Sequence, residues 1–151
     1  MMGTKAIENI KERKQAFYEA LVAALPNRTI KRTLTDYRQH SATEMKTGVV
    51  MMVGDGESNY SQAKGMVAKE GSTHFLLIAH LEVIDNNPDT MGRSVEDAED
   101  NLIEEFKTFV KAGIPGMDLY LENCKQSRQL EAPMGWVVAK ISAGAPRSTL
   151  N

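Results

Sequence analysis

The chain has 151 residues, of which 42% are hydrophobic and 25% charged, a composition typical of one soluble globular domain. Its formal net charge of −2 gives no electrostatic reason to expect a nucleic-acid partner or an anionic membrane surface. Cys124 is the only cysteine, which excludes an intrachain disulfide, disfavours a structural zinc site and fits a reducing cytoplasm. The N-terminus lacks an apolar signal segment, and no apolar run approaches the roughly 20 residues of a membrane span. We therefore expect a cytosolic protein without a membrane partner.

The N-terminal part of the chain predicts one helix and one strand. Apolar residues at three- and four-residue spacing indicate a helix over Lys5–Leu25. Pro26 ends this helix, because the residue before a proline is pushed out of helical geometry. Alternating β-branched residues then predict a strand within Arg28–Tyr37, followed by a polar loop around Gln39–Lys46.

Two apolar segments in the middle of the chain predict neighbouring strands. Val49–Val53 is a short apolar run, and Thr73–Ile84 alternates so that Phe75 begins one apolar face. The glycine-rich, charged stretch Gly54–Ser72 between them far exceeds the roughly 2–5 residues of an ordinary hairpin loop. We therefore predict that residues 54–72 form a long flexible arm.

A second helix and two further strands are predicted in the C-terminal part. Ser94 is the expected N-cap of a helix with an apolar stripe, and Gly113 followed by Pro115 is the expected stop. Met117–Lys125 and Trp136–Ser142 indicate the last two strands, with Trp136 packed into the core.

The resulting order, α-β-β-β-α-β-β, predicts an α+β fold. We expect a mixed, largely antiparallel sheet of about five strands with two helices on one face, because most consecutive strands are joined by hairpin-type links. The chain is interpreted as a single domain, residues 1–151, with an ordered core of about 5–142 and a loose tail at 143–151.

The three histidines do not predict a metal site. His74 and His80 share one face of a strand, but six residues separate them by about 20 Å. Zinc needs its donors at about 2 Å from one centre, and His40 lies in a loop that the sequence does not place. We interpret all three as structural or surface histidines.

The remaining candidate motifs are incomplete. A calcium-loop pattern is broken by Pro88 and by Thr90 at the position that requires glycine, and GDGES completes no phosphate-binding motif. Cys124 has no identified histidine partner. The acidic cluster is assigned to a solvated helix face; it comprises Glu96, Asp97, Glu99, Asp100, Glu104 and Glu105. The basic residues alternate faces and are interrupted by Asp36, so they make a weak nucleic-acid footprint; they are Arg28, Lys31, Arg32 and Arg38. No nucleophile with a base and no closed metal shell is found, so we expect no enzyme activity, no catalytic or metal residue and no cofactor.

The whole pattern resembles the tail terminator proteins of long-tailed bacteriophages and prophages, the minor tail protein U-like group. The resemblance covers about Ile7–Ser142 and is carried by the element order, by THFLLIAHLEVI and by the acidic helix SVEDAEDNLIEEFKTFVKAG. It implies a small α+β subunit that closes into a six-membered ring on the tail tube, stops tube polymerisation and offers a surface to the head-side connector. It also implies self-association, the tail tube protein and the connector as partners, and a location in the host cytoplasm and then the virion tail.

The arm and the second face of the long strand are the expected interaction surfaces. Leu76 and Ile78 are apolar residues among polar ones on that face, and exposed apolar patches usually mark interfaces. The complete hypothesis names Gly54, Gly56, Tyr60, Lys64, Met66, Lys69, Gly71, Leu76 and Ile78.

Three alternatives stay open. The first is another phage neck or head–tail joining subunit. The second is a cytosolic small-ligand-binding α+β domain with a pocket near Trp136. The third, a metal-dependent hydrolase, would need the histidines to converge with Asp85 or Asp89.

Overall fold

A computed structural model describes residue 7 and residues 9–61 and 70–144, and shows an α+β fold built on a mixed five-stranded sheet. Its elements are helices α1 (Ile10–Ala24), α2 (Ala42–Thr47) and α3 (Met91–Ala112), strands β1 (Thr29–Lys31), β2 (Val49–Ser61), β3 (Glu70–Glu82), β4 (Asp118–Gln126) and β5 (Met134–Gly144), and a 3-10 turn at Tyr37–Gln39. The strand order is β1-β2-β3-β5-β4, with β1 parallel to β2 and the other neighbours antiparallel. In these ranges no helix has the length and apolar character needed to cross a membrane. The predicted fold class is confirmed.

The main core lies between the sheet and the two long helices. Phe17 of α1 stacks on Phe75 of β3 with ring centroids 4.2 Å apart, and its ring meets Phe109 of α3 edge-on at 5.2 Å. Aromatic pairs in such geometries add about 0.5–1.5 kcal/mol beyond the burial of their surface. Because one sheet residue and both helices meet at Phe17, α1 and α3 lie on the same face, as predicted.

On the opposite face of the sheet, the described residues provide cover at one end only. The β2–β3 register pairs Val49 with His80 and Met51 with Ile78, and these residues alternate with those of the main core. Val49 and Met51 are fully buried, and so is most of Met45 in α2. Helix α2 and the 3-10 turn therefore form a second, smaller cover on the far side of the sheet.

The N-terminal strand and loop predictions were partly wrong. The strand predicted within Arg28–Tyr37 is limited to Thr29–Lys31, because only these residues pair with β2. The loop predicted around Gln39–Lys46 contains α2, which starts with a capping box in which Ser41 and Glu44 bond each other's backbone amides.

The predicted arm is largely sheet. Residues 54–61 continue β2 and residues 70–72 belong to β3, while residues 62–69 lie outside the described residues. Register shifts between Gly54 and Glu57 mark a bulge, and Gly56 adopts φ +83°, a conformation that glycine adopts without steric strain. Gly54 and Gly56 therefore lie at a bulge in a long hairpin.

The long hairpin is fastened to α1 by Arg13, which is fully buried. One guanidinium nitrogen donates to the Gly71 carbonyl and, at 3.1 Å, to Thr73 Oγ1, and it lies 3.8 Å from Glu57 Oε2. The Nε atom donates to the carbonyl of Ile7 at 2.5 Å. Arg13 thus joins both strands of the hairpin to the first helix.

The C-terminal elements extend slightly beyond their predicted ends. Helix α3 begins at Met91 rather than after Ser94, whose hydroxyl instead donates to Asp85 Oδ2 at 2.6 Å. Its end at Gly113, with φ +73°, is as predicted. Strand β5 continues to Gly144, and the rest of the predicted loose tail, residues 145–151, lies outside the described residues.

We expect Arg13→Met to lower the free energy of unfolding by roughly 3–5 kcal/mol, because it leaves buried carbonyls and Glu57 without their cationic partner. Urea unfolding followed by circular dichroism measures this loss. The control is Lys11→Met on the exposed side of the same helix, which should change stability by less than about 0.5 kcal/mol. Equal stability of the two variants would contradict the anchoring role of Arg13.

Candidate functional site

The candidate site is the part of the second sheet face that α2 and the 3-10 turn leave uncovered, called the open face here. It comprises the half-buried residues Val53, Ser58, His74, Leu76, Ile78, Val138, Lys140 and Ser142. Val49 and Met51, on the same face at the end near α2, are completely buried. The difference in exposure shows where the cover formed by α2 and the 3-10 turn ends.

Apolar residues occupy the centre of the open face. Val53 lies opposite Leu76, and Ile78 lies opposite Val138, in adjoining registers of β2, β3 and β5. Ile78 therefore has an apolar neighbour on each side, whereas Leu76 has Val53 on β2 and Lys140 on β5. Together the four side chains form a continuous apolar strip across three strands.

Polar residues lie next to this strip, toward the end of the sheet from which the hairpin extends. Ser58 Oγ is 2.5 Å from His74 Nε2, and His74 Nδ1 is 3.3 Å from Glu122 Oε2. Glu122 Oε1 also lies 4.0 Å from the ammonium group of Lys140. Sequence reasoning missed this cluster, because Ser58 was assigned to a flexible arm and no motif connects it with β4.

The serine, histidine and glutamate have the residue types of a nucleophile, a base and an orienting acid. Their geometry is incomplete for that chemistry. Among the described residues no hydrogen bond reaches His74 Nδ1, although Glu122 is within ion-pair distance. Without that bond the imidazole is not fixed in one tautomer, and Lys140 offsets part of the glutamate charge.

The other predicted interaction residues are divided between described and undescribed parts of the chain. Gly54 and Gly56 lie in β2, and Gly71 lies in β3, where its carbonyl binds Arg13. Tyr60 belongs to β2, but its side chain lies outside the described residues. The remaining three, Lys64, Met66 and Lys69, also lie outside the described residues.

The structure gives the position of His40, which the sequence alone did not place. His40, which sequence reasoning could not place, has its Nε2 3.1 Å from His80 Nδ1 at the covered end of the sheet. His74 is part of the separate polar cluster with Ser58. In the portion of the chain that the structure describes, no three potential metal ligands come together.

The structure places Trp136 and Glu99 in environments that differ from the predicted ones. Trp136 is half-buried on the same face as its register partner His80, not in the main core, and its Nε1 donates to Glu131 Oε2 at 2.7 Å. Glu99, assigned to a solvated face, is fully buried; its Oε2 accepts from Ser127 Oγ at 2.5 Å and from the Trp136 amide at 2.9 Å. Glu99 thereby ties α3 to β5.

Two surface clefts lie away from the open face. One of about 630 Å³ is lined by residues 110–115 and 117–120, where α3 ends and β4 begins. The other, of about 380 Å³, lies between α1 and α3 and has Phe109 in its wall and Glu104 and Glu105 on its rim. Neither is lined by Trp136, near which the ligand-binding alternative expects a pocket.

Comparisons with known proteins assign no family to this chain. No protein-family model matches the chain, and the search of curated proteins found no match either. A functional proposal therefore rests on the fold, on the open face and on the resemblance in element order.

We expect Ser58→Ala to leave the hydrolysis of p-nitrophenyl acetate by the purified protein unchanged. The reason is that His74 Nδ1 lacks the hydrogen bond that would orient it as a base. The absorbance of released nitrophenolate measures the rate. A more than tenfold loss of rate in the variant would contradict this expectation and favour a serine hydrolase.

Proposed function

We propose that this chain is a structural bacteriophage tail protein. In this proposal it caps the tail tube as a homo-oligomeric ring, ends tube polymerisation and provides the surface for joining to the head. The open face is the single observation that carries the proposal: two helices seal one side of the sheet, whereas an apolar strip on the other side remains half exposed. Contiguous apolar surface of this kind is typical of a protein–protein interface.

A closed ring requires a head-to-tail contact between two different surfaces of the subunit. The open face supplies one. The long hairpin is a candidate for the second, because β5 pairs with β3 only from Thr73 to Glu82. Beyond Thr73 the hairpin is a two-stranded ribbon formed by β2 and residues 70–72 of β3. Isolated two-stranded ribbons are marginally stable in water, so docking on a neighbour or on the tube would stabilise it.

The proposed copy number, partners and location of the ring come from the resemblance in element order. Six copies, the tail tube protein and the head–tail connector are the proposed partners. The host cytoplasm during assembly and then the virion tail are the proposed locations. Another neck or head–tail joining subunit would use the same open face, and locating the chain within purified virions separates these two roles.

We expect Ile78→Glu to weaken ring formation at least tenfold while the subunit still folds. A carboxylate in the apolar strip must lose its hydration when a neighbour covers it, and about 1.4 kcal/mol already corresponds to a factor of ten. Light scattering during size-exclusion chromatography measures assembly on tail tubes.

The matched control for Ile78→Glu is Ile84→Glu. Ile84 follows β3, is 65% exposed and lies outside the open face, so the same charge should be tolerated there. A ring of unchanged stability formed by Ile78→Glu, or equal losses in both variants, would count against the proposed interface.

We also expect that replacing residues 59–70 with Asn-Gly leaves the fold intact but abolishes tail termination. With Gly71, the inserted Asn-Gly makes a three-residue loop that keeps the Ser58–Ser72 pair, and the replacement retains Glu57 and Gly71, which contact Arg13. Stability should change by no more than about 1 kcal/mol, since loop length has a weak effect. Electron microscopy of tails assembled with the variant measures their length. Tails of normal length would refute a role of the hairpin in termination.

A further inference from the structure

A chain of side-chain contacts joins the segment after β1 to the covered end of the sheet. Lys31 Nζ is 3.3 Å from His40 Nδ1, and His40 Nε2 is 3.1 Å from His80 Nδ1. Tyr37 stacks on the His80 ring with centroids 4.1 Å apart and an interplanar angle of 23°. His40 is only 8% exposed, so these contacts are largely shielded from water.

The direction of each hydrogen bond follows from Lys31. An ammonium group has three donors and no acceptor, so His40 Nδ1 must be the unprotonated acceptor. The ammonium form of Lys31 is supported by Glu44, whose Oε2 lies 3.5 Å away. The proton of neutral His40 is then on Nε2, from which it is donated to His80 Nδ1. Both imidazoles are therefore neutral, with their protons on Nε2.

Lys31, His40 and His80 thus form a relay of hydrogen bonds, and protonation of either imidazole ring breaks it. A proton added to His80 Nδ1 would face the N–H of His40, and a proton added to His40 Nδ1 would face the Lys31 ammonium. The contacts thus require that both rings remain uncharged. The two positions are linked only by folding, because the histidines are 40 residues apart in the chain.

The surroundings of the pair favour the neutral forms. Burial, followed by the Lys31 charge, lowers the pKa of His40, although Glu44 and Asp36 oppose this shift. Burial, followed by His40, lowers the pKa of His80, against opposition from the carboxylates of Asp36 and Glu131.

Tyr37, which faces His80, does not titrate in the same range. Burial raises the pKa of Tyr37 far above its ordinary value, so its hydroxyl stays neutral. Tyr37 therefore does not supply an alternative titration near neutral pH.

We propose that His40 and His80 form an acid-sensitive latch that holds residues 37–47 on the sheet at neutral pH and releases them when either ring is protonated. Release would remove cover from this end of the second face, on which Val49 and Met51 are fully buried. Met51 lies opposite Ile78 of the open face, so opening would extend the apolar strip. The latch follows from the contacts alone, whereas its effect on ring assembly rests on the proposed function.

Local opening is reasonable because the covering segment lies outside the main core. Helix α2 has six residues, and Met45 is its one buried side chain. The loop before it is attached through the Thr35 amide, which donates to Met51 Sδ at 3.2 Å. Segments with few buried contacts open without global unfolding. The core formed by α1, α3 and the other sheet face would remain intact.

The pH range follows from the direction of the shifts. The pKa of each histidine is lower in the folded chain than the ordinary value of about 6.5. The latch therefore contributes its full stability above that value, and this contribution is lost as the pH falls through 6.5 toward the lowered pKa.

The first test is nitrogen-15 NMR of the imidazole rings in the full chain at pH 7.5. We expect both His40 and His80 to carry their proton on Nε2. A proton on Nδ1 of either ring, or a charged imidazole, would overturn the latch. This measurement needs no variant, so it decides the proposal even if a substitution prevents folding.

The second test compares amide hydrogen-exchange protection factors in α2 and α3 at pH 7.5 and 5.0, corrected for the intrinsic pH dependence. In the native protein we expect α2 to lose at least tenfold more protection than α3. In His80→Asn, whose amide oxygen retains an acceptor near Nδ1, and in His40→Gln, which retains a donor, that loss should fall by more than half. A loss equal to the native one in both variants would refute the latch.

The matched control is His74→Gln, which removes the histidine outside the relay and should leave the hydrogen-exchange response of α2 unchanged.

The experiments distinguish failure of the latch from failure of the proposed ring interface. Nε2 protonation and an acid response in the monomer, together with unaltered assembly of Ile78→Glu, would uphold the latch and reject the ring interface. The opposite pair of results would uphold the interface and reject the latch.

Discussion

The alternation of side chains along β3 is the constraint on which the rest of the structure depends. This strand is hydrogen-bonded to β2 and β5, and its residues Phe75, Leu77, Ala79 and Leu81 are buried under α1 and α3. The alternate residues necessarily face the other way, where α2, the 3-10 turn and the loop before it provide cover at one end. One face is thus completed by the chain itself, and the other leaves the apolar strip around Ile78 half exposed. The proposed interface and the proposed latch both lie on this second face.

Buried polar groups fix how the layers are connected. Arg13 joins α1 to the hairpin, and Glu99 joins α3 to β5 through Ser127 and the Trp136 amide. Close packing also explains Gly135: a Cβ there would lie 2.5 Å from Glu99 Oε2. Burying a charge is costly unless partners satisfy it, so these contacts specify one arrangement of the layers. The hairpin and the open face are therefore held in a defined relation to each other.

Local signals predicted some elements well and others poorly. The apolar stripe of α3 and its stop at Gly113 were readable, because both are properties of neighbouring residues. The capping box of Ser41 and Glu44 was equally local and would have predicted α2, but the segment was interpreted as a polar loop. Residues 54–61 and 70–72 were assigned to an arm although they are strand, since glycines at a bulge and glycines in a flexible loop look alike in sequence.

By itself, the sequence determined the α+β class, the core face of β3 and the position of Leu76 and Ile78 on the other face, because strand periodicity assigns side chains to faces before any pairing is known. Only the tertiary structure decided that His40 meets His80 and that Ser58, His74 and Glu122 converge. Those contacts depend on strand register, bulges and the path of the chain after β1. Residues distant in sequence were brought together by pairing between strands, which no local pattern encodes.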